Sequence, residues 1–313
     1  MSLLVLESGL QTTLQAAPRR GRRGLGIPAS GPADQVGMAF ANRLVANAAE
    51  TPALEVTFGM ASFRAESDLV IGLSGAICPL TIDGALQPFD TTLSLAAGQT
   101  LRLGAPLDGM RSYLAVAGGF RAPPVFGSAS TYLSGGFGGI DGRSLHEGDR
   151  LATGDAPSSL PRLTTPTALR QPLSETFVLR VVPSAEFPIL TPDGRREIFE
   201  GPYRAAQQVD RMGVRLTGPE PEMREGAAGM VSGPVFPGTV QCPEHGTPII
   251  LGPDAQTTGG YPRLLSVIAA DLPLLGQVRP GARIHFFYRE AEEGRRDNRI
   301  RQGLLRSWVD LTF

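Results

Sequence analysis

Thirty-nine glycines and twenty-seven prolines interrupt the 313 residues, and the intervals between them mostly carry short runs rich in Val, Ile, Leu, Phe and Thr. Those residues suit a pleated, half-buried surface, so the chain reads as mainly β. Strands are expected over Leu54 to Phe58, Leu69 to Leu73, Arg111 to Ala117, Phe177 to Val182, Pro248 to Leu251, Leu264 to Ala269 and Ala282 to Tyr288. A small motif recurs at Ala97-Gly98-Gln99-Thr100-Leu101, Glu147-Gly148-Asp149-Arg150-Leu151 and Pro280-Gly281-Ala282-Arg283-Ile284. In each, a glycine able to take positive φ feeds alternating residues, the pattern of a turn entering a strand. Such turns in both halves point to two related β-barrel units. Two helices interrupt this background. Asp34 is placed to cap one running to about Ala48 on a Val36, Phe40, Leu44 stripe, with Asn42 and Arg43 off it. Asp271 is placed to cap a shorter one, with Pro273 in its first turn. The segment Gly154 to Glu175 carries four prolines and divides the chain into expected domains 1–160 and 161–313.

All 29 basic residues are arginine. Without lysine, this chain can supply neither a Walker A phosphate loop, nor a Schiff-base nucleophile, nor a biotin attachment point. The 29 basic residues face 30 acidic ones, a net charge of −1, so no global attraction to nucleic acid or anionic membrane is expected. The opening run Leu3 to Leu6 is too short for a signal peptide, and no apolar span reaches membrane length. Cys78 and Cys242 lie far apart and give no zinc spacing, which favours a reducing cytoplasm.

Several polar clusters are candidates for chemistry. Asp254-Ala255-Gln256-Thr257-Thr258-Gly259-Gly260-Tyr261-Pro262 packs a carboxylate, an amide, two hydroxyls, a phenol and two glycines into nine positions; the composition fits a ligand loop and an ordinary turn equally. Gly26 to Asp34 leads into the first helix, where Ser30, Gly31 and free N–H groups could hold a small anion or simply begin the helix. Gly135-Gly136-Phe137-Gly138-Gly139 is either a cover over a cavity, with Arg143 available to an anion, or a wide β connection. Around Asp210-Arg211-Met212-Gly213-Val214-Arg215, an internal Asp210 pair with Arg211 or Arg215 competes with a carboxylate- or phosphate-binding role for arginine. Ser232, Gly233, Gly238 and Gln241 are placed to converge with the Asp254 stretch. His146, His245 and His285 occur singly, and Cys242 beside His245 does not establish a thiolate pair.

Taken in order, Gly9-Leu10-Gln11-Thr12-Thr13-Leu14-Gln15, Gly26 to Asp34, Ala53-Leu54-Glu55, Leu73-Ser74-Gly75-Ala76, Leu114 to Gly119, Asp210-Arg211-Met212-Gly213 and Gln256 to Pro262 resemble the family of 5-oxoprolinase C subunits, also called allophanate hydrolase subunit 2 or biotin-dependent carboxyltransferase-like. The resemblance covers about residues 3–288. One departure is early: relatives commonly read Gln-Asp-x-Gly-Arg where this chain has Gln15-Ala16-Ala17-Pro18-Arg19, which weakens any role for that loop.

The resemblance implies two cyclophilin-like β-barrel domains with a few short helices, and a small polar substrate. It implies the B subunit of 5-oxoprolinase as a partner in a hetero-oligomer, with the A subunit needed for full hydrolysis of 5-oxoproline to glutamate. It implies ATP and magnesium in the assembled enzyme, and no covalent biotin on this chain. Activating the unreactive lactam requires a site that stabilises developing negative charge and orients substrates. Asp254 and Asp34 are the catalytic candidates, Asp254 as base or as magnesium holder. Ser30, Arg211, Gln241, Gln256, Thr257, Thr258 and Tyr261 are the candidate contacts, with Gly31, Gly259 and Gly260 shaping the cavity. Two other readings follow from the same family: carboxyl transfer to a urea-like amide from carboxybiotin on another chain, and a non-catalytic regulatory partner of a kinase-inhibitor-like protein. Beyond Arg289, the charged segment ending in Ile300, Leu304, Leu305 and Trp308 suggests an amphipathic tail.

Overall fold

The computed structural model describes residues 1–157, 159–224, 230–243 and 246–311, and within them the chain forms two compact units. The first comprises Met1–Arg20, Ser30–Pro172 and, of the described residues, 304–311; the second comprises Gly21–Ala29 and Leu173–Gly303. The main division thus falls between Pro172 and Leu173, and two short segments are exchanged between the halves of the sequence.

The first unit contains β1 (Ser2–Ser8), β2 (Gln11–Gln15), α1 (Gln35–Leu44), β3 (Ala53–Thr57), β4 (Ala61–Ala65) and β5 (Leu69–Gly75). It continues with β6 (Leu80–Ile82), β7 (Ala85–Leu86), β8 (Thr92–Leu95), β9 (Thr100–Leu103), β10 (Arg111–Val116) and β11 (Arg150–Ala152). These strands make a six-stranded sheet ordered β11-β1-β4-β9-β6-β7 and a five-stranded sheet ordered β2-β3-β10-β5-β8. Leu3, Val5, Leu14, Leu54, Phe63, Ile71, Leu73 and Leu114 belong to one buried cluster drawn from both sheets. Burying each such side chain stabilises by roughly 1.5–3 kcal/mol. The five-stranded sheet is covered on its other face by α1, so β3 and β10 are buried along their whole length. Gly72 in β5 permits that contact, because a Cβ there would sit 2.6 Å from the Ala41 carbonyl oxygen and 2.7 Å from Leu44 Cβ.

Asp34 caps α1, its Oδ1 accepting from the Gly37 N–H at 2.8 Å. The helix ends at Leu44 and not near Ala48, because Ala46 turns to φ 56° and Asn42 is withdrawn into the interior. The Asn42 amide is buried rather than off the packed face, and it donates to the carbonyls of Ala49 and Thr51, tying down the chain that leaves the helix.

The second unit is built on β12 (Thr176–Pro183), α2 (Pro192–Glu200), β13 (Tyr203–Val209), β14 (Gly213–Thr217), β15 (Gly233–Pro234) and β16 (Thr239–Gln241). It continues with β17 (Ile249–Leu251), β18 (Thr258–Gly259), β19 (Arg263–Val267), α3 (Leu272–Leu275), β20 (Arg283–Tyr288) and most of α4 (Ala291–Leu305). Seven strands close into a barrel ordered β12-β19-β16-β17-β14-β13-β20, with β12 parallel to β20 and the other pairs antiparallel. Strand alternation sends Phe177, Leu179, Val181, Val214, Leu216, Val240, Ile250, Ile284 and Phe286 into the barrel core. The mainly β architecture is therefore realised as one closed barrel and one two-sheet unit. The three glycine turns take the expected form: Gly98, Gly148 and Gly281 have φ 86°, 88° and 81° and precede β9, β11 and β20. Asp271 differs from expectation, since it makes no side-chain cap to α3. Its carboxylate instead accepts from the Arg180 backbone N–H at 2.8 Å and from the Arg180 guanidinium. Among the described residues, no helix is long and apolar enough to cross a membrane.

Candidate functional site

The barrel wall formed by β13, β14, β17 and β16 carries a groove of about 300 Å³ on its outer side. Strand periodicity explains its floor. Val214, Ile250 and Val240 point into the core, so their neighbours Gly213, Arg215, Ile249, Leu251 and Gln241 face the other way and line the groove. Pairing brings Gly213 opposite Leu251, and Arg215 and Gln241 each opposite Ile249. Gln208, Asp210, Gln256 and Tyr261 complete the polar lining.

The stretch from Asp254 to Pro262 forms one side of this groove, and three devices fix it. Asp254 Oδ2 and Oδ1 accept from Arg211 Nε at 2.7 Å and Nη2 at 3.0 Å, a two-pronged pair with both side chains 3% exposed. The Asp254 N–H donates to the Arg211 carbonyl and the Gly252 N–H to that of Met212, so the loop begins as an extension of the β14–β17 ladder. Behind it, Val235, Leu251 and Ala255 form a small buried cluster separate from the barrel core. Farther along, β18 pairs with β15, placing Gly259 opposite Gly233 and Thr258 opposite Pro234, while the buried Thr257 accepts from the Val235 N–H through its carbonyl. The buried Gln241 amide donates to the Tyr261 carbonyl at 3.0 Å, and its own oxygen lies 3.5 Å from Gln256 Nε2. Gly259 makes room for that amide, since a Cβ would stand 2.7 Å from Gln241 Nε2. A Cβ at Gly260 would make only ordinary contacts, with the Met230 carbonyl and Ser232 Oγ.

The expected ion pairs of Asp210 are replaced by another arrangement. Asp210 Oδ1 accepts from the N–H groups of Met212 and Gly213, holding the hairpin between β13 and β14, while Arg211 turns to Asp254. The Arg215 side chain has no ion-pair or hydrogen-bond partner among the described residues and lines the groove. Gln208 is a lining residue that sequence reasoning misses. It stands near the end of β13, and its only local signal is its placement two residues before Asp210.

Ser30, Gly31 and Asp34 belong to the first unit. Ser30 and Gly31 take φ 53° and 85°, and a Cβ on Gly31 would press on Pro18 Cγ at 2.9 Å. The Ser30 hydroxyl is buried without a hydrogen-bond partner among the described residues. Around Asp34, a buried polar network fixes the helix entry. The Ala33 N–H and the Tyr113 hydroxyl both donate to Glu55 Oε2 at 2.8 Å, the Asp34 N–H donates to Tyr113 Oη, and Arg111 stands beside Glu55. Burial, together with the charges of Glu55 and Asp34, pushes the Tyr113 phenol well above its ordinary range. It is held as a neutral donor.

The glycine loop 135–139 is tightly built: a Cβ on Gly138 would overlap the Ser130 carbonyl oxygen at 2.1 Å, and one on Gly139 would overlap Thr131 Oγ1 at 1.9 Å. Arg19 fastens it, stacking on Phe137 and donating to the carbonyls of Val125 and Ser130. Arg143 is engaged by Asp149 at 2.7 and 2.9 Å, and its hydrogen bonds hold the Asp149 carboxyl below its usual range. Both cysteines are free and buried, and burial pushes Cys242 up to about 12, so it is a thiol that donates to the Gly246 carbonyl. His245 lies outside the described residues. Among the described residues, no group of three or more His, Cys, Asp or Glu side chains is arranged to hold a metal.

A two-sheet unit followed by a seven-stranded barrel with a loop-capped groove on its wall agrees with one class of protein: the chain belongs to the family described as carboxyltransferase domain, subdomain A and B, which it matches over residues 25–288. Within that class, it is 39% identical over 291 residues to the 5-oxoprolinase C subunit of Escherichia coli strain K12, covering 93% of this chain and 92% of that protein. It is 35% identical to the 5-oxoprolinase C subunit of Haemophilus influenzae, covering 98% of both. The crystal structure of urea amidolyase from K. lactis superposes with a TM-score of 0.93 at 26% identity, covering 99% of this chain and 20% of that one. The chain therefore spans about a fifth of the urea amidolyase polypeptide.

Proposed function

We propose that this chain is the C-type subunit of an ATP-dependent 5-oxoprolinase, and that the barrel groove holds the lactam substrate while the B and A subunits of the assembly complete hydrolysis to glutamate. The observation that carries this reading is the end-to-end match to two free-standing C subunits, against a match to only a fifth of urea amidolyase. The groove supports it. Its volume lies at the lower end of small-molecule sites, and its polar lining is dominated by glutamine amides, which can both donate to a lactam oxygen and accept from a lactam N–H.

Phosphorylation by ATP with magnesium supplies a leaving group on the lactam oxygen. The lining of this groove does not form a triphosphate cradle, since Arg215 is its one cationic side chain among the described residues. We therefore assign the nucleotide to another chain of the assembly. On this chain, Gln241 and Gln256 orient the substrate and Tyr261 covers it. Asp254, with both oxygens taken by Arg211, acts by holding the loop in place. Asp34 serves the first unit as a helix cap, and Ser30 and Gly31 lie in that unit, outside the groove lining. A cytoplasmic location is part of the same proposal.

The test is 5-oxoproline-dependent release of ADP and glutamate by the chain reconstituted with its cognate A and B subunits, omitting each in turn. Turnover that needs all three is expected. A second reading, carboxyl transfer to a urea-like amide, is favoured by the close superposition on urea amidolyase. Carboxylation of urea by carboxybiotin on a separate carrier, with no response to 5-oxoproline, would replace the first reading with this one. A stable complex lacking both activities would favour a regulatory partner role.

A further inference from the structure

Several arginines of the second unit are fixed in ion pairs, whereas Arg215 lines the groove without one. Arg180, Arg211, Arg263 and Arg289 are all held by carboxylates, namely Asp271, Asp254, Glu186 and Asp297. The Arg215 side chain has no partner among the described residues, although Asp210 lines the same groove. Asp210 is occupied in part by two backbone N–H groups and makes no ion pair with it. The remaining polar lining is neutral, consisting of Gln208, Gln241, Gln256 and Tyr261. A guanidinium standing free at the wall of a small cavity, beside amides that carry no charge, is a recognition element for a planar anion, and its fork matches a carboxylate.

We propose that Arg215 is the carboxylate-recognition residue of the groove, so that the site selects a small molecule bearing a carboxylate next to a neutral amide or lactam. The carboxylate pairs with Arg215 and the amide is read by Gln208, Gln241 and Gln256. Strand alternation makes this division of labour possible. Arg215 shares the outward face of β14 with Gly213, where a Cβ would stand 2.4 Å from the Ile250 carbonyl oxygen, so β17 packs closely beside the guanidinium's strand at the groove floor. This assignment rests on the 5-oxoprolinase reading for the identity of the substrate, but the preference for a carboxylate does not.

The experiment compares wild type, Arg215→Met and Arg215→Lys in two assays. In the complex with the A and B subunits, Arg215→Met is expected to raise the KM for 5-oxoproline by about 10- to 100-fold, the range for losing a charge-assisted hydrogen bond, with kcat nearly unchanged. Arg215→Lys is expected to recover part of that loss. In the full chain alone, binding of 5-oxoproline and of 2-pyrrolidinone, the same lactam without its carboxylate, is followed by ligand-observed NMR. Wild type is expected to prefer the carboxylated probe, and Arg215→Met to bind both alike. Arg215 is exposed, so its replacement leaves the barrel core intact, which a thermal melt checks. Unchanged KM and unchanged preference in Arg215→Met overturn the assignment even if the complex turns over. If the complex proves inactive, an Arg215-dependent preference for the carboxylated lactam still upholds it, and wild type with no such preference overturns it.

Discussion

Asp254 and Arg211 show what a single buried pair does to a loop. Each side chain is nearly inaccessible, and the pair connects positions 43 apart in sequence. Removing one member leaves a charge in the interior without its counterion, which costs about 3–5 kcal/mol. Asp254→Asn and Arg211→Met are therefore expected to destabilise the second unit by that amount in urea unfolding, whereas Asp210→Asn, at an exposed hairpin, should cost well under half as much. A loss of turnover in Asp254→Asn with no loss of stability would instead make Asp254 a direct participant in chemistry. At this scale, sequence marks the residues but not their partners. The density of polar groups in 254–262 points to the groove, yet sequence proximity matches Arg211 to its neighbour Asp210. Its real partner is adjacent only because Gly252 to Asp254 runs beside Arg211 to Gly213 in space. Contacts of this kind have no local signature.

Elements are more legible than pairings. Glycine and proline punctuation locates the strands because turn chemistry is local, and all seven expected strands recur with shifts of one or two residues at their ends. The end of α1 is not legible, because it depends on Asn42 reaching carbonyls that the returning chain presents. The short ribbon of β15 and β18 is also hidden: two residues on each strand give no periodicity. It nevertheless controls the groove, since Gly259 is the place where the Gln241 amide approaches the backbone. Gly259→Ala is expected to displace that amide, break its bond to the Tyr261 carbonyl, and weaken binding of the lactam by about tenfold, the order of one hydrogen bond. The expected signature is a raised KM with a thermal midpoint close to wild type. An unchanged KM would remove Gln241 from the substrate contacts.

On the scale of the whole molecule, each unit has its own core, but neither is a continuous piece of sequence. The amphipathic tail resolves into α4, whose last residue Leu305 is buried while Ile300 and Leu304 stay exposed, and a following segment in which Val309 and Leu311 are buried; these three buried residues belong to the first unit. There Arg43 donates to the Trp308 carbonyl and stacks on the Trp308 ring. Truncation after Gly303 is expected to destabilise the first unit by up to about 1.5–3 kcal/mol for each of the three buried side chains. Hydrogen exchange would locate the loss. Amides of the two sheets should lose protection, and equal protection with and without the tail would show that its burial contributes little.

That threading has a consequence for biosynthesis. The first unit includes residues 304–311, and the second takes up residues 21–29, which are synthesised well before the barrel strands. Domains made from continuous sequence can fold one after another as they emerge. Here the two-sheet unit is complete only once residues 304–311 have been made, and residues 21–29 join their unit only after the barrel strands that follow them. Dividing the chain between residues 172 and 173 would therefore yield two fragments that each lack a piece of their own unit, and co-expression is expected to raise the yield of both.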